Sequence, residues 1–108
     1  MTTDRLSLGA REFEILVTLV AGPRHGYGIM QELRESDSGG RVLGPGTLYR
    51  VLRDLAGRGL ITSVDVREDD PGGPPRRYYR LTALGQRAVA AEARRLSGLL
   101  ERARPLLQ

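Results

Sequence analysis

Residues 44–58 read GPGTLYRVLRDLAGR, and this stretch has the pattern of a helix with one buried face. Pro45 suits the first helical turn, where its missing N–H costs no hydrogen bond. Leu48, Leu52 and Leu55 recur at spacings of four and three residues, which places them on one side of the helix. Two glycines after the last leucine predict the helix end. The polar residues between the leucines are therefore expected to face away from the core.

Two further helices are predicted before this stretch. The first spans residues 7–20, where Ser7 can cap the start and a Gly-Pro pair follows the end. Its apolar residues cover more than one side, so we expect the helix to be buried on two sides. These residues are Leu8, Phe13, Ile15, Leu16, Val17, Leu19 and Val20. The second helix is predicted to start near Gly26, and residues 36–40 have the composition of a loop.

A hairpin is predicted after the third helix. Residues 60–67 end in alternating apolar and charged side chains, which is a strand pattern, and residues 77–81 return as a second strand. Residues 68–75 contain three prolines and two glycines and are expected to form the connecting loop. Tyr79 shares a strand face with Leu81, so we expect Tyr79 to face the core.

A final helix is predicted from a cap at Thr82 to about residue 104, with a length of roughly 30–35 Å. The order of elements predicts a mainly α fold with a small β-hairpin, namely a winged helix-turn-helix plus a long C-terminal helix. We expect residues 1–81 to form the winged domain, with the wing at about residues 60–81. Residues 82–108 are expected to form a dimerisation helix that packs on the same domain and on a partner.

Composition excludes several classes of protein. A chain of 108 residues has room for one domain, and the absence of cysteine excludes disulfides and thiolate nucleophiles. No run approaches the roughly 18 apolar residues of a membrane span, and the start lacks the pattern of a signal peptide, so a cytoplasmic location is expected. His25 is the only histidine and lies in a turn, where a structural or capping role is expected. We therefore expect no enzyme, no catalytic residue and no cofactor.

Arginine placement favours a nucleic-acid surface on the third helix. The net charge is +4, and every lysine-or-arginine position is occupied by arginine. Because a GC-rich coding sequence produces the same bias, the number of arginines is weak evidence for nucleic-acid binding. The positions of the arginines in the predicted fold are the stronger evidence. Arg50 and Arg53 are neighbours on one helix face and can reach a phosphate or a guanine edge. Gly46 and Thr47 lie at the helix N-terminus, whose N–H groups favour phosphate. The alternative is that both arginines only solvate an exposed face.

Charges are segregated in the predicted wing. The charges of four arginines and four acidic residues between residues 64 and 80 sum to zero. The arginines lie mainly on the second predicted strand of the hairpin. Arg76 and Arg77 are placed to straddle a phosphate or to enter a minor groove. Asp69 and Asp70 should point away from DNA, and no further ligands are placed to complete a metal site with them, so no metal is expected.

The last predicted helix carries a heptad seam. Its members follow one another at spacings of 4, 3, 4, 3 and 4: Val89, Ala93, Leu96, Leu100, Ala103 and Leu107. Such a seam packs on another helix, so we expect a homodimer in which the apolar first helix, with Phe13, is a second contact surface. Two-fold symmetry would then place the two third helices roughly 34 Å apart, about one turn of DNA. The alternative is that the seam packs on the chain's own domain.

Four segments in order resemble the PadR-like transcriptional regulators. They are GPRHGYGI at 22–29, GPGTLY at 44–49, GLI at 59–61 and RRYYRLTALG at 76–85. The resemblance covers about residues 8 to 86, and the short final helix is similar to that of the compact subfamily. It implies a homodimer that binds a palindromic operator in double-stranded DNA, commonly as a repressor. It also implies that Tyr27, Gly46, Thr47, Tyr49 and the wing arginines touch DNA and that the last helix builds the dimer interface.

The resemblance further implies that an apolar small-molecule effector binds at the interface in some members and releases DNA. This chain has no tryptophan and Phe13 is its only phenylalanine, which argues against an aromatic-lined effector pocket. A second function is also open at the level of sequence. The net-neutral wing and the modest charge are compatible with a winged-helix protein–protein interaction module that does not bind DNA.

Overall fold

A computed structural model describes residues 7–36, 43–66 and 76–107. Within those ranges it contains four α-helices, three strands and a terminal 3₁₀ helix. The elements are α1 Ala10–Val17, β1 Arg24–His25, α2 Gly26–Glu35, α3 Pro45–Gly57, β2 Ile61–Val66, β3 Arg76–Leu81, α4 Ala83–Ala103 and the 3₁₀ helix Arg104–Leu107. The predicted order of helices and hairpin is confirmed, with β1 as an addition. None of the described helices is long and apolar enough to cross a membrane.

Some predicted features fall outside the described residues. They include most of the predicted loop at 36–40 and the whole predicted loop at 68–75, which contains Asp69 and Asp70. Arg67, the last residue of the predicted first strand, and the chain start that was compared with a signal peptide also lie outside.

The first helix begins and ends differently from the prediction. Its N-cap is Gly9 rather than Ser7, and the Gly9 N–H donates to Glu12 Oε1 at 2.9 Å. The helix ends at Val17, and the next residues continue as turns with i to i−3 bonds such as Leu19 N to Leu16 O at 3.0 Å. A glutamate three residues after the cap satisfies an otherwise unpaired N–H, which explains the later start.

The core forms where all four helices meet the sheet. The three predicted leucines of α3, Leu48, Leu52 and Leu55, are 0, 1 and 0% exposed. Tyr79 is 7% exposed, which confirms its predicted place in the core. Further buried members come from the rest of the described chain and are Leu8, Ile15, Leu16, Leu19, Ile29, Leu60, Ile61 and Ala88. α3 is therefore held by one face, and its opposite face is left to solvent.

The end of α3 directs the chain into β2. Gly59 has a φ of +78°, which L side chains rarely adopt. The Leu60 N–H bonds to Leu55 O and the Gly59 N–H to Ala56 O, each at 3.0 Å, which is the hydrogen-bond pattern of a Schellman motif. The helix stop predicted from the glycines is confirmed, and the wing begins immediately after the turn.

The sheet has the order β1–β3–β2, with both pairings antiparallel. In β1, Arg24 pairs with Tyr79 and His25 with Tyr78. The sequence prediction did not include β1, because two residues are too few to show a period of two. This short strand fixes the start of α2 against the wing.

α4 leaves the domain after its first turns. Thr82 Oγ1 accepts the Gly85 N–H at 3.0 Å, which confirms the predicted cap. Ala88 is buried against the core, whereas every residue from 93 to 107 is exposed in the single chain. The helix therefore lengthens one axis of the molecule, whose extents are 56 × 35 × 23 Å.

Candidate nucleic-acid interface

The outward face of α3 is built by the burial of its leucines. Because Leu48, Leu52 and Leu55 point inward, helical periodicity places Gly46, Arg50 and Arg53 on the opposite side. All three are exposed. Within the described part of the chain, neither arginine is in an ion pair, so both charges are available to an external anion. Thr47 and Tyr49, also exposed, border this face on its two sides.

Arg58 has a different role from the other two arginines of the segment. Its Nη1 lies 3.2 Å from Glu12 Oε2 and 3.7 Å from Asp54 Oδ2, and its Nη2 donates to the Ser7 carbonyl. These contacts join the end of α3 to α1. Arg58 therefore stabilises the domain, and the positive surface of α3 consists of Arg50 and Arg53.

Tyr49 connects α3 to the start of α2. A Cβ built on Gly26 would overlap the Tyr49 hydroxyl and lie 2.8 Å from Cζ of the ring. The Tyr49 side chain is nevertheless 44% exposed, so one part of the ring packs on backbone while the rest faces solvent. The resemblance implied a DNA contact for Tyr49, and the structure gives it a packing role as well.

The first turn of α2 is capped by His25. Nδ1 of the ring accepts the Gly28 N–H at 3.0 Å, which confirms the predicted capping role. Tyr27 is 57% exposed, and its hydroxyl accepts a long bond of 3.5 Å from Gln31 Nε2. Tyr27 therefore lies on the surface beside the cap.

The wing arginines Arg76 and Arg77 point to opposite faces of β3, because successive strand residues alternate. Arg77 Nε donates to Asp65 Oδ1 across the hairpin at 3.1 Å, and this hydrogen bond raises the pKa of Arg77. Arg76 Nη1 lies 3.2 Å from His25 Nε2, near the loop end of the hairpin. The structure therefore does not bring the two arginines together at one phosphate.

The predicted dimer seam divides into two parts. Val89 and Phe13 are partly buried against the chain's own core. The remaining predicted members are exposed, with Leu96 at 38% and Leu100 at 47%. On α1, Val17 is 44% exposed, and Val20 beyond its end is 61% exposed. The second apolar side predicted for the first helix is thus uncovered in the single chain.

A groove lies between the end of α1 and the start of α4. It has a volume of about 450 Å³, and its walls contain no aromatic ring among the described residues. The lining residues are Leu19, Val20, Gly22, Pro23, Arg80, Leu81, Gln86, Val89 and Ala90. Elsewhere in the described ranges, no group of three or more His, Cys, Asp or Glu is placed to hold a metal ion.

Comparison with known proteins identifies the family. The model of the transcriptional regulator PadR-like family matches residues 15–91, from the last turn of α1 to the first half of α4. This chain belongs to the PadR-like family. The match includes the outward face of α3, the cap of α2 and the wing strands, so the resemblance seen in the sequence is confirmed. A search of the curated proteins found no match.

Solved structures of PadR-like regulators share the fold. A PadR family transcription regulator from Clostridium difficile R20291 is 24% identical with a TM-score of 0.78, over 93% of this chain and 100% of that chain. A PadR-like transcription factor from Bacteroides fragilis is 28% identical with a TM-score of 0.76, over 97% and 95%. Bacillus subtilis PadR, in complex with operator DNA, is 21% identical with a TM-score of 0.70, over 81% and 47%. The predicted winged-helix fold is therefore confirmed.

Sequence reasoning missed the contacts that assemble this surface. The contacts of Arg58 with α1, the packing of Tyr49 on Gly26 and the approach of Arg76 to His25 all join residues distant in the chain. A single sequence shows periodicity within an element, and it carries no direct signal for such pairs.

Proposed function

We propose that this PadR-like regulator binds operator DNA as a homodimer and represses transcription. The observation that carries the proposal is the outward face of α3, where Arg50 and Arg53 are exposed without a carboxylate partner in the described ranges. In helix-turn-helix proteins the second helix of the pair enters the major groove, and α3 occupies that position after α2. Phosphate contacts would set the register of the helix, and base-edge contacts would select the sequence.

The N-terminal turn of α3 would approach the DNA most closely. Gly46 has open space around the position of a Cβ, so nothing inside the described fold requires glycine there. A bare backbone permits close approach of N–H groups to phosphate. Thr47, at the border of the same turn, adds a hydroxyl donor.

A homodimer would bury the apolar surface that the single chain exposes. Leu96, Leu99 and Leu100 project from α4, while Val17 and Val20 form an apolar strip on and just beyond α1. Exposed apolar side chains grouped in this way are typical of protein interfaces. The heptad spacing of α4 suits helix-on-helix packing with a second copy, and a palindromic operator would match the two-fold symmetry. An apolar effector would bind beside this interface. The described cavity that suits such a compound is the groove next to Val89, whose lining is mainly apolar.

The test is a DNA-binding titration against salt. A binding site would be recovered from random DNA by selection with the purified dimer, and affinity would be measured at several salt concentrations. Removing both charges with Arg50→Ala and Arg53→Ala should weaken binding by at least about 100-fold and lower the salt slope by about 2 per protomer. The matched control is Arg94→Ala with Arg102→Ala, which removes two exposed arginines from α4.

Unchanged affinity of the α3 variant would overturn the assignment of that helix. Failure of the wild-type protein to bind any DNA at low salt, together with stoichiometric capture of a protein, would favour the protein–protein interaction module. The Arg77–Asp65 pair keeps that alternative open, since it neutralises part of the wing.

A further inference from the structure

The hydrogen bonds of His25 fix which of its ring nitrogens carries the proton. A neutral imidazole has one N–H donor and one nitrogen with a lone pair. Nδ1 accepts the Gly28 N–H at 3.0 Å, so the lone pair is used at the helix cap. The proton of the neutral ring is therefore on Nε2, which points away from α2 and toward the wing.

Arg76 faces this nitrogen with a second donor. Arg76 Nη1 lies 3.2 Å from His25 Nε2, and a guanidinium group has no acceptor. Two N–H donors cannot form a hydrogen bond with each other. The Arg76 and His25 donors therefore both remain available, and one acceptor placed between them can bind both. An anionic oxygen satisfies such a pair best, because one of the donors is charged.

The His25 ring is held in place by the sheet and by neighbouring rings, and Arg76 is placed beside it by β3. The pairing of β1 with β3 sets His25 opposite Tyr78, and the two rings meet edge to face with centroids 5.2 Å apart. The Tyr27 ring lies nearly parallel to that of His25, with centroids 6.4 Å apart. Within the described ranges Arg76 is in no ion pair, so its charge is not compensated by a carboxylate there. The two donors therefore form a positively charged pair near the loop end of the wing hairpin.

We propose that His25 Nε2 and Arg76 together hold one phosphate of the DNA backbone and anchor the wing near the loop end of its hairpin. This inference rests on the proposed DNA-binding function and adds His25 as a positioning contact that carries no sequence information. The pair is continuous with the exposed Tyr27 ring, so the contact would extend the surface of α3 toward the wing.

The test separates the two roles of His25. His25→Ser keeps a side-chain oxygen that caps α2 and removes the Nε2 donor without supplying another N–H. We expect the melting temperature to stay within about 2 °C of wild type and the affinity for the selected site to fall about 10-fold. The salt slope should hardly change, because the lost donor is neutral. His25→Thr, a second residue that caps helices, keeps the test decisive if the serine variant folds poorly.

The partner residue gives a complementary result. Arg76→Gln should weaken binding and lower the salt slope by about 1 per protomer, because a charged phosphate contact is lost. The double variant should bind little more weakly than Arg76→Gln alone, since both side chains serve the same phosphate. Replacing phosphates one at a time by neutral methylphosphonate should reveal one position per half-site that weakens wild type and leaves the double variant unaffected.

The outcomes distinguish the two proposals. If wild type binds DNA with a steep salt dependence, but His25→Ser binds equally well, the phosphate contact is wrong and the DNA-binding function stands. Fully multiplicative losses in the double variant would also overturn the shared phosphate. If wild type binds no DNA, the proposed function itself fails.

Discussion

The ring of Tyr49 on α3 lies against Gly26 at the start of α2, where a methyl group would overlap its hydroxyl. This contact sets the distance between the two helices of the helix-turn-helix pair. Gly26 and Tyr49 belong to two different segments that resemble the family, at residues 22–29 and 44–49.

Gly26→Ala should destabilise the domain by about 1–3 kcal/mol, because the new Cβ forces the Tyr49 ring to move. Urea unfolding followed by circular dichroism measures the change. Gly28→Ala is the matched control in the same helix turn, since its Cβ would meet only ordinary contacts with His25 from 3.5 Å. In the background of Tyr49→Ala the cost of Gly26→Ala should largely disappear; equal costs in both backgrounds would contradict the contact.

Gly46→Ala should separate folding from DNA binding. The site is open, and alanine is a better helix former than glycine by about 1 kcal/mol, so unfolding should require equal or more urea. Affinity for the selected DNA should fall at least several-fold, because the added methyl group holds the α3 backbone away from phosphate. Gly98→Ala on α4 is the control, with the same open surroundings. A Gly46→Ala variant with wild-type affinity would show that the first turn stays clear of DNA.

Leu96→Glu should convert the proposed dimer to a monomer. Leu96 is 38% exposed in the single chain, so the charge can be hydrated in the monomer but would be buried at the seam. Sedimentation velocity at micromolar concentration should show the change in mass, and circular dichroism should show that the helices persist. Ala91→Glu places the same charge on the opposite, exposed side of α4 and should leave the dimer intact. Identical sedimentation of both variants would count against the seam.

Stability should fall at alkaline pH because of Tyr79. Burial raises the pKa of Tyr79 above its ordinary value of 10.0, and the nearby Arg77 opposes part of that rise. The contribution of the neutral phenol to stability is therefore complete below about pH 10 and is lost as pH rises through the folded-state pKa. Urea unfolding between about pH 9 and 11.5 should show this loss in wild type, with a smaller loss in Tyr79→Phe.

The control for Tyr79→Phe is Tyr78→Phe, which replaces the less buried neighbour. Absorbance at 295 nm adds a direct check, because the raised pKa of Tyr79 should make it ionise at higher pH in the folded protein than in the unfolded chain. A Tyr79→Phe variant with the wild-type alkaline slope would assign the loss to another group.

Local patterns predicted most of the elements correctly. The spacing of Leu48, Leu52 and Leu55 placed α3 and its buried face, and strand alternation placed Tyr79 in the core. The start of α1 was predicted wrongly at Ser7. The N-cap is Gly9, because its N–H bonds to the Glu12 side chain. Each of these features depends on neighbours within about four residues, which is the range over which a single sequence has a direct pattern.

The sequence by itself determined the order of helices and strands, the inward leucines of α3 and therefore the outward position of Arg50 and Arg53. Only the tertiary structure decided which arginines remain available to a ligand. Arg58 is drawn to Glu12 and Arg77 to Asp65, whereas Arg76 is brought to His25 through a strand of two residues. The physical reason is that charge and hydrogen-bond partners act across space over a few ångströms. The residues that meet at those distances here are separated by 12 to 51 positions in the chain.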